Sequence, residues 1–319
     1  MINSYGPEGE LFGTIINKEY TSSLTGLERA MNEGVILEGN TLLCDSSMRL
    51  HVDLYGIRGL ISKEDALFCR SGEEIKDIAL ITRVGKPTCF KVIGFERCRG
   101  ETVAILSRRE AQAECIRNYL SSLTEGDIIP AKVTHLESFG AFVDIGCGIS
   151  SLLSVDSISV SRISHPSDRL SVGDKIHVAV KLIDREHGRI FVSMRELLGT
   201  WEENASLFEA GQTVSGIIRS VESYGVFVEL APNLAGLAEV RDTDTSHISD
   251  RIGKYAAVYI KNIIPDKMKI KLVLIDANGT EAKRQPINYF VDCETVTHMD
   301  RWQYSPDGSQ KRVETVFKQ

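Results

Sequence analysis

Phe139-Gly140-Ala141-Phe142-Val143-Asp144-Ile145 returns 85 positions later as Tyr224-Gly225-Val226-Phe227-Val228-Glu229-Leu230, and an upstream glycine, Gly126 then Gly211, returns at the same interval. The chain is built from copies of one unit. Side chains alternate faces along a strand, so Val143 and Ile145 belong to a core while Phe142 faces outward with Asp144. The second copy repeats this, with Phe227 and Glu229 opposite Val228 and Leu230. Phe139 and Tyr224 lie three residues earlier, where strict alternation sends them to the other face. Gly140 permits a bulge that would bring both rings to one side. Outward rings recurring at one structural position suit the stacking of unpaired bases. The competing reading is that one ring of each pair closes the barrel end.

With 319 residues and 42% hydrophobic content, the chain can hold two or three domains with cores of their own. No stretch is apolar enough to span a bilayer and Met1 to Pro7 lacks a signal pattern, so a soluble, cytoplasmic protein is expected. The seven cysteines are odd in number and never spaced as Cys-x-x-Cys, which predicts reduced, mostly buried thiols rather than disulfides or a zinc site. A formal net charge of -7, spread so that no segment is a basic arm, argues against duplex binding through bulk attraction. Any nucleic-acid affinity must come from stacking and a few placed cations.

Residues 1–33 read as a lead-in with a helix from Leu24 to Asn32, with Thr25 and Glu28 at capping-box spacing and Gly34 as its stop. Residues 34–121 form the first unit, with strands at Leu50–Leu54, Cys89–Ile93 and Val103–Ser107. Ser107 and Glu110 then open an amphipathic helix whose core face carries Ile116, Tyr119 and Leu120. Residues 122–198 form the second unit, with strands Ile128–Leu136, Ala141–Ile145, Ile149–Leu153, Ile176–Ile183 and Ile190–Ser193. A second capping box is expected at Ser193 to Glu196. Five short strands with glycine turns suit a small closed antiparallel barrel, since closure removes exposed edges. A linker, 199–207, leads to the third unit, 208–276. Residues 277–319 read as a polar tail with a hairpin turning at Ser305-Pro306-Asp307-Gly308. Trp201 and Trp302 are expected in core or connector packing.

A second element lies between the last two strands of each repeat. Asp184 precedes Arg189 in the second unit, and the parallel place in the third holds Asp266 and Lys269. Arg189 shares strand parity with Phe191, so its guanidinium is expected outside, free for a phosphate or base. A surface ion pair between turn residues is the plainer alternative. The seven histidines are scattered, and no phosphate loop, nucleophile elbow or clustered carboxylates appear, so no catalytic, cofactor or metal residues are assigned.

Glu125-Gly126-Asp127, Val133–Leu136, Phe139 to Asp144, Val172-Gly173-Asp174, Gly188-Arg189-Ile190 and Ser193 together resemble the RNA-binding domain first described in bacterial small-subunit ribosomal protein S1. The resemblance implies mainly β architecture: three tandem five-stranded OB-fold barrels, the first degenerate, with short connecting helices. In that family two aromatics, a histidine after the third strand, an aspartate and a basic residue make the RNA surface. The resemblance carries four of these onto Phe139, Phe142, Asp184 and Arg189, and in the third unit onto Tyr224, Phe227, Asp266 and Lys269. Ser154 and Glu239 stand where the histidine would be, and Glu239 would turn an extra carboxylate toward the phosphates. In the first unit Met48 and His51 replace the aromatic pair and Glu96 the aspartate, so the stacking platform is lost there.

The arrangement resembles short clostridial-type members of the family. It implies a non-enzymatic, cytoplasmic protein that binds single-stranded RNA, messenger RNA above all, and acts in translation at the small ribosomal subunit. The alternatives are an accessory subunit of an RNA-decay or transcription complex and a metal-dependent ribonuclease. Neither a membrane partner nor a cofactor is expected.

Overall fold

Short alternating strands broken by glycine turns close on themselves three times along this chain. The structure, a computed structural model, describes residues 5–69, 74–98, 100–239 and 248–318. It divides into an amino-terminal body, residues 1–123 with 130–132 and 144–150, and a carboxy-terminal body holding the rest.

In the amino-terminal body, helices α1 (Ile15–Thr21) and α2 (Leu24–Glu33) precede strands β1 (Leu37–Cys44), β2 (Leu50–Leu54) and β3 (Ile57–Ile61). A short helix α3 (Asp77–Ile81), strands β4 (Pro87–Cys98) and β5 (Glu101–Ser107) and helix α4 (Arg108–Asn118) follow. The strands close in the order β1-β2-β3-β5-β4 around Leu37, Leu50, Val52, Leu54, Ile61, Phe90 and Leu106. Helix α2 adds Leu27 and Ala30 to this core. Its cap is Ser23, whose side chain accepts the Gly26 N–H at 3.0 Å, rather than the expected Thr25 and Glu28 box. Ser107 caps α4 as expected, accepting the Glu110 N–H at 3.1 Å. The helix itself buries Arg108, Ala111, Gln112 and Cys115; of the expected core residues, Leu120, in the 3-10 turn that follows, is buried, while Ile116 and Tyr119 are half-buried.

Gln112 is held by the Cys147 carbonyl and the Phe68 N–H, and Arg108 is held by Glu8, which is 5% exposed. Its carboxylate accepts from Arg108 Nε at 2.8 Å and from the Cys89 N–H at 3.1 Å, and it also pairs with Arg83. Burial alone would raise the Glu8 carboxyl, but the Arg108 and Arg83 guanidiniums overcome this and hold it down at about 2. The seven cysteines form no disulfide among the described residues, but only Cys89, Cys115 and Cys147 are buried, which corrects the expectation that most would be. The other four are shorter of neighbours because they sit near strand ends and turns.

The second barrel comprises β6 (Ile128–Glu137), β7 (Gly140–Asp144), β8 (Ser150–Ser154), β9 (Lys175–Asp184) and β10 (Arg189–Ser193), with a short helix α5 (Val155–Ile158) after β8. Helix α6 (Trp201–Ala205) occupies the expected linker, and the third barrel comprises β11 (Thr213–Glu222), β12 (Gly225–Ala231), β13 (Leu234–Ala238), β14 (Tyr255–Ile264) and β15 (Lys269–Asp276). Both repeat the strand order of the first, so three OB-fold barrels stand in tandem. The barrels are not wholly antiparallel. The third and fifth strands of each run parallel, as β3 does with β5, β8 with β10 and β13 with β15. That pairing needs a long crossover, and in each barrel the fourth strand lies within it.

The expected capping box at Ser193 opens no α-helix. Ser193 Oγ donates directly to the Glu196 carboxylate and a single 3-10 turn, Arg195–Leu198, follows. Within the carboxy-terminal body, Asn233 is fully buried and saturates its amide: Oδ1 accepts the Val160 N–H at 2.9 Å, and Nδ2 donates to the Arg195 and Gly199 carbonyls, each at 2.8 Å. Its own carbonyl accepts Tyr304 Oη–H at 2.6 Å. Trp201 and Trp302 are buried in one apolar core of this body, as expected.

The tail is less a linker than a strap. Its hairpin, β16 (Arg301–Gln303) with β17 (Glu314–Val316), forms around the expected turn. Before it, the Ile128 N–H donates to the Thr297 carbonyl at 2.8 Å, the Met299 N–H to the Gly126 carbonyl at 3.0 Å, and the Phe290 N–H to the Leu197 carbonyl at 2.9 Å. Gly126 has to be glycine for this: its φ is +100°, and a Cβ there would stand 2.3 Å from the Met299 carbonyl oxygen.

Two substitutions test these anchors. Glu8→Ala should destabilise the amino-terminal body by about 3–5 kcal/mol, because Arg108 remains buried without its partner; a urea-unfolding loss under about 1 kcal/mol would exclude this role. Since the folded Glu8 value is depressed, its contribution is present above the ordinary 4.5 and is lost as pH falls through about 2. Asn233→Ala strands buried donors and acceptors and should cost the carboxy-terminal body about 2–4 kcal/mol in thermal unfolding.

Candidate nucleic-acid interface

A two-residue turn, Ser138-Phe139, joins β6 to β7 and sets Phe139 at its tip, 53% exposed. Phe142 follows in β7, half-buried, and the two rings meet edge to face with centroids 6.0 Å apart at 88°. The third barrel repeats this with Tyr224, 60% exposed, and Phe227, at 6.2 Å and 89°. The intervening glycine is required by space, and in the third barrel Gly225 pairs in regular register without a bulge of its own. A Cβ on Gly140 would stand 2.5 Å from the Leu153 carbonyl oxygen, and one on Gly225 would stand 2.6 Å from that of Ala238. In the third barrel the bulge sits across the pair in β11, between Ile218 and Ser220.

Asp144 and Glu229 have the expected parity but not the expected exposure, at 3% and 5%. Asp144 accepts the Glu8 N–H at 2.7 Å, the Gly146 N–H at 2.9 Å and the Gly148 N–H at 3.0 Å. Glu229 pairs with Arg169 and, at 2.8 Å, with Arg219 Nε. The outward face is therefore open at the ring pair and covered one step further along the strand.

Arg189 is exposed and lies directly across the ladder from Asp184. The Asp184 carboxylate is occupied by His187, whose N–H donates at 2.9 Å and whose ring Nδ1 stands at 2.9 Å. The His187 backbone N–H holds the Asp184 carboxyl below its usual range. Asp184 thus secures the turn while Arg189 stays available. In the third barrel Lys269 faces Ile264, so Ile264 holds the cross-strand place of Asp184. Asp266 falls instead in the 3-10 turn Pro265–Lys267, where its carbonyl accepts the Gln310 N–H. Asp266 and Lys269 are therefore not a matching pair.

The register adds residues that the sequence reading did not single out. Phe191 lies beside Leu152 and Leu182, extending the outer face of the second barrel, and the His135 ring stacks on Phe142 at 6.4 Å. Lys181 Nζ donates to Ser157 Oγ at 2.8 Å, the hydroxyl that also takes Ser154 Oγ–H at 2.9 Å. In the third barrel Lys271 holds the place of Phe191, beside Leu237, and pairs with Glu239 at 3.7 Å. The Glu239 charge is thus matched rather than left bare. In the first barrel Met48 turns through a left-handed φ of 58°, and His51 Nε2 stands 3.1 Å from Asp45. Glu96 is exposed in β4 opposite Val103. No ring pair forms there among the described residues.

The family described as S1 RNA binding domain matches residues 122–195. The chain is 30% identical over 241 residues to the small ribosomal subunit protein bS1 homolog of Bacillus subtilis, covering 73% of this chain and 58% of that one. It is 34% identical over 178 residues to small ribosomal subunit protein bS1 of Leuconostoc lactis, covering 53% and 41%. A 34% match over 197 residues to 4-hydroxy-3-methylbut-2-enyl diphosphate reductase of Clostridium tetani covers 59% of this chain but 31% of that enzyme. The chain spans under two thirds of the length of each relative.

Gly140→Ala checks the geometry of the turn. The added methyl meets backbone rather than a movable side chain, so a loss of about 1–3 kcal/mol is expected in chemical denaturation. An unchanged midpoint would mean that β7 and β8 are not held this closely.

Proposed function

Since the chain belongs to the S1 RNA-binding family, we propose that it binds single-stranded RNA through the outer faces of its second and third barrels. The observation that carries this is the repeated perpendicular pair, Phe139 with Phe142 and Tyr224 with Phe227, whose leading ring is exposed in both barrels. Base stacking supplies about 1–3 kcal/mol per base and tolerates any sequence. Arg189 and Lys269, both exposed at the start of a fifth strand, serve the backbone phosphates. Asp184 contributes by fixing the turn that carries Arg189, and Asp266 stands in the turn before Lys269.

With so few cations, affinity should depend weakly on salt. Two phosphate contacts give a log-log slope of about -1.4, far shallower than for a basic duplex binder. Joining two weak sites in one chain raises the effective concentration at the second, so a strand long enough for both binds far more tightly than a short one. The protein acts as a binding component, without chemistry of its own. Its cellular role is translation in the cytoplasm, holding messenger RNA at the small ribosomal subunit, consistent with relatives named as small ribosomal subunit proteins.

Replacing Phe139 and Phe142 with Ala should weaken binding of a fluorescent single-stranded RNA by roughly 10- to 100-fold, with unfolding unchanged. Affinity within twofold of the parent would put the site elsewhere. For the cellular role, the protein should travel with the small subunit on a sucrose gradient; co-migration with a nuclease or polymerase would favour an accessory role instead.

A further inference from the structure

The outer face of the third barrel does not end at its ring pair. Phe227 lies beside Leu237, Leu237 beside Lys271 and Lys271 beside Asn262, so one row of side chains runs from β12 across β13 and β15 to β14. The next row along β15 sets Val273 beside Tyr259, and Tyr259 beside Thr213 of β11. Tyr259 stands between the buried Val258 and Ile260, which turns its ring outward, and it is 37% exposed. Val273 is exposed across from it. Lys261, two residues further along β14, is exposed and makes no ion pair among the described residues.

In the second barrel the matching place is shut. Ser193 pairs with Ala179 one step beyond Val192 and Val180, just as Val273 pairs with Tyr259 one step beyond Leu272 and Ile260. Ala179 and Ser193 are both fully buried, and the Ser157 carbonyl accepts the Met194 N–H at 2.8 Å and Ser193 Oγ–H at 3.2 Å over them. The third barrel presents a large exposed ring there instead. One exposed tyrosine alone is ordinary. This one continues the face of Phe227 and stands among exposed lysines in a chain of formal net charge -7. Lys271 is held only by its exposed pair with Glu239 at 3.7 Å, a weak tie for a phosphate to replace.

Two bases stacked on Tyr224 and Phe227 fall short of the about 4–16 nucleotides that an OB fold holds, so a bound strand has to continue over the barrel. Neighbouring strands lie about 4.8 Å apart, which puts Tyr259 about 14 Å of surface beyond Phe227 and leaves room for the nucleotides between. We infer that the RNA path on the third barrel runs on to Tyr259, which stacks a further base, with Lys261 and Lys271 serving the phosphates along the way. This rests on the stacking reading of Tyr224 and Phe227 and adds a route and an asymmetry to it. The third barrel holds a longer stretch of single strand than the second, whose path is closed at Ala179.

The full chain carrying Ala at Phe139 and Phe142 reports on the third barrel, by fluorescence anisotropy with oligouridylates of about 4 and about 10 nucleotides. In that background Tyr259→Ala should weaken the longer RNA about 5- to 50-fold and the shorter one less than about twofold, with Tm unchanged, and Tyr259→Phe should bind like its parent. Lys261→Ala should lower the slope of log affinity against log salt by about 0.7, the share of one phosphate contact on a single strand, while Tyr259→Ala leaves that slope alone. Replacing Tyr224 and Phe227 with Ala should weaken both lengths. If it does, but Tyr259→Ala changes the longer RNA by less than about twofold, the extension is wrong and the stacking reading stands. If the Tyr224 and Phe227 replacements change nothing, the stacking reading falls and the extension falls with it. A loss shared by Tyr259→Phe, an unchanged salt slope in Lys261→Ala, or self-association of the chain that Tyr259→Ala abolishes also overturns the proposal, the last because the face then seats a second copy. Should Tyr259→Ala fail to fold, Lys261→Ala decides.

Discussion

The outer faces exist because the first strand of each barrel hydrogen-bonds two neighbours at once. β1 pairs with β2 and β4, and β11 pairs with β12 and β14. That double pairing leaves no free edge and fixes the register of every other strand. A one-residue slip of β12 would send Val226 and Val228 outward and Phe227 into the core. The first strands of the first and third barrels each carry a register shift, between Thr41 and Leu43 and between Ile218 and Ser220. The platform for a flexible strand is thus set by a closed and rigid backbone.

Much of this was legible in the sequence because it is local. The parity of Phe142-Val143-Asp144-Ile145 gives the buried Val143 and Ile145 and the half-buried ring directly. The five strands of the second barrel follow their alternation to within a residue or so at most ends. β1 was missed because Gly39, Asn40 and Thr41 interrupt any apolar period, and Thr41 is buried through a hydroxyl pair with Thr88 at 2.8 Å.

What failed was set from far along the chain. Asp144 looks like an exposed carboxylate until its partner Glu8, 136 positions away, is known. Glu229 likewise depends on Arg169, 60 positions distant. Asn233 carries no motif at all, since its three partners come from two other segments. The mismatch of Asp266 and Lys269 arose from the same limit, because spacing along a turn does not reveal cross-strand register.

The strap of residues 289–304 has a consequence for the order of assembly. The Ile128 N–H, at the start of the second barrel, finds its acceptor on Thr297, and the Asn233 carbonyl finds its donor on Tyr304. During synthesis both barrels emerge before these partners do. Until translation has passed Tyr304, the nascent second and third barrels must wait with those polar groups turned to water, so their maturation is deferred and not strictly vectorial.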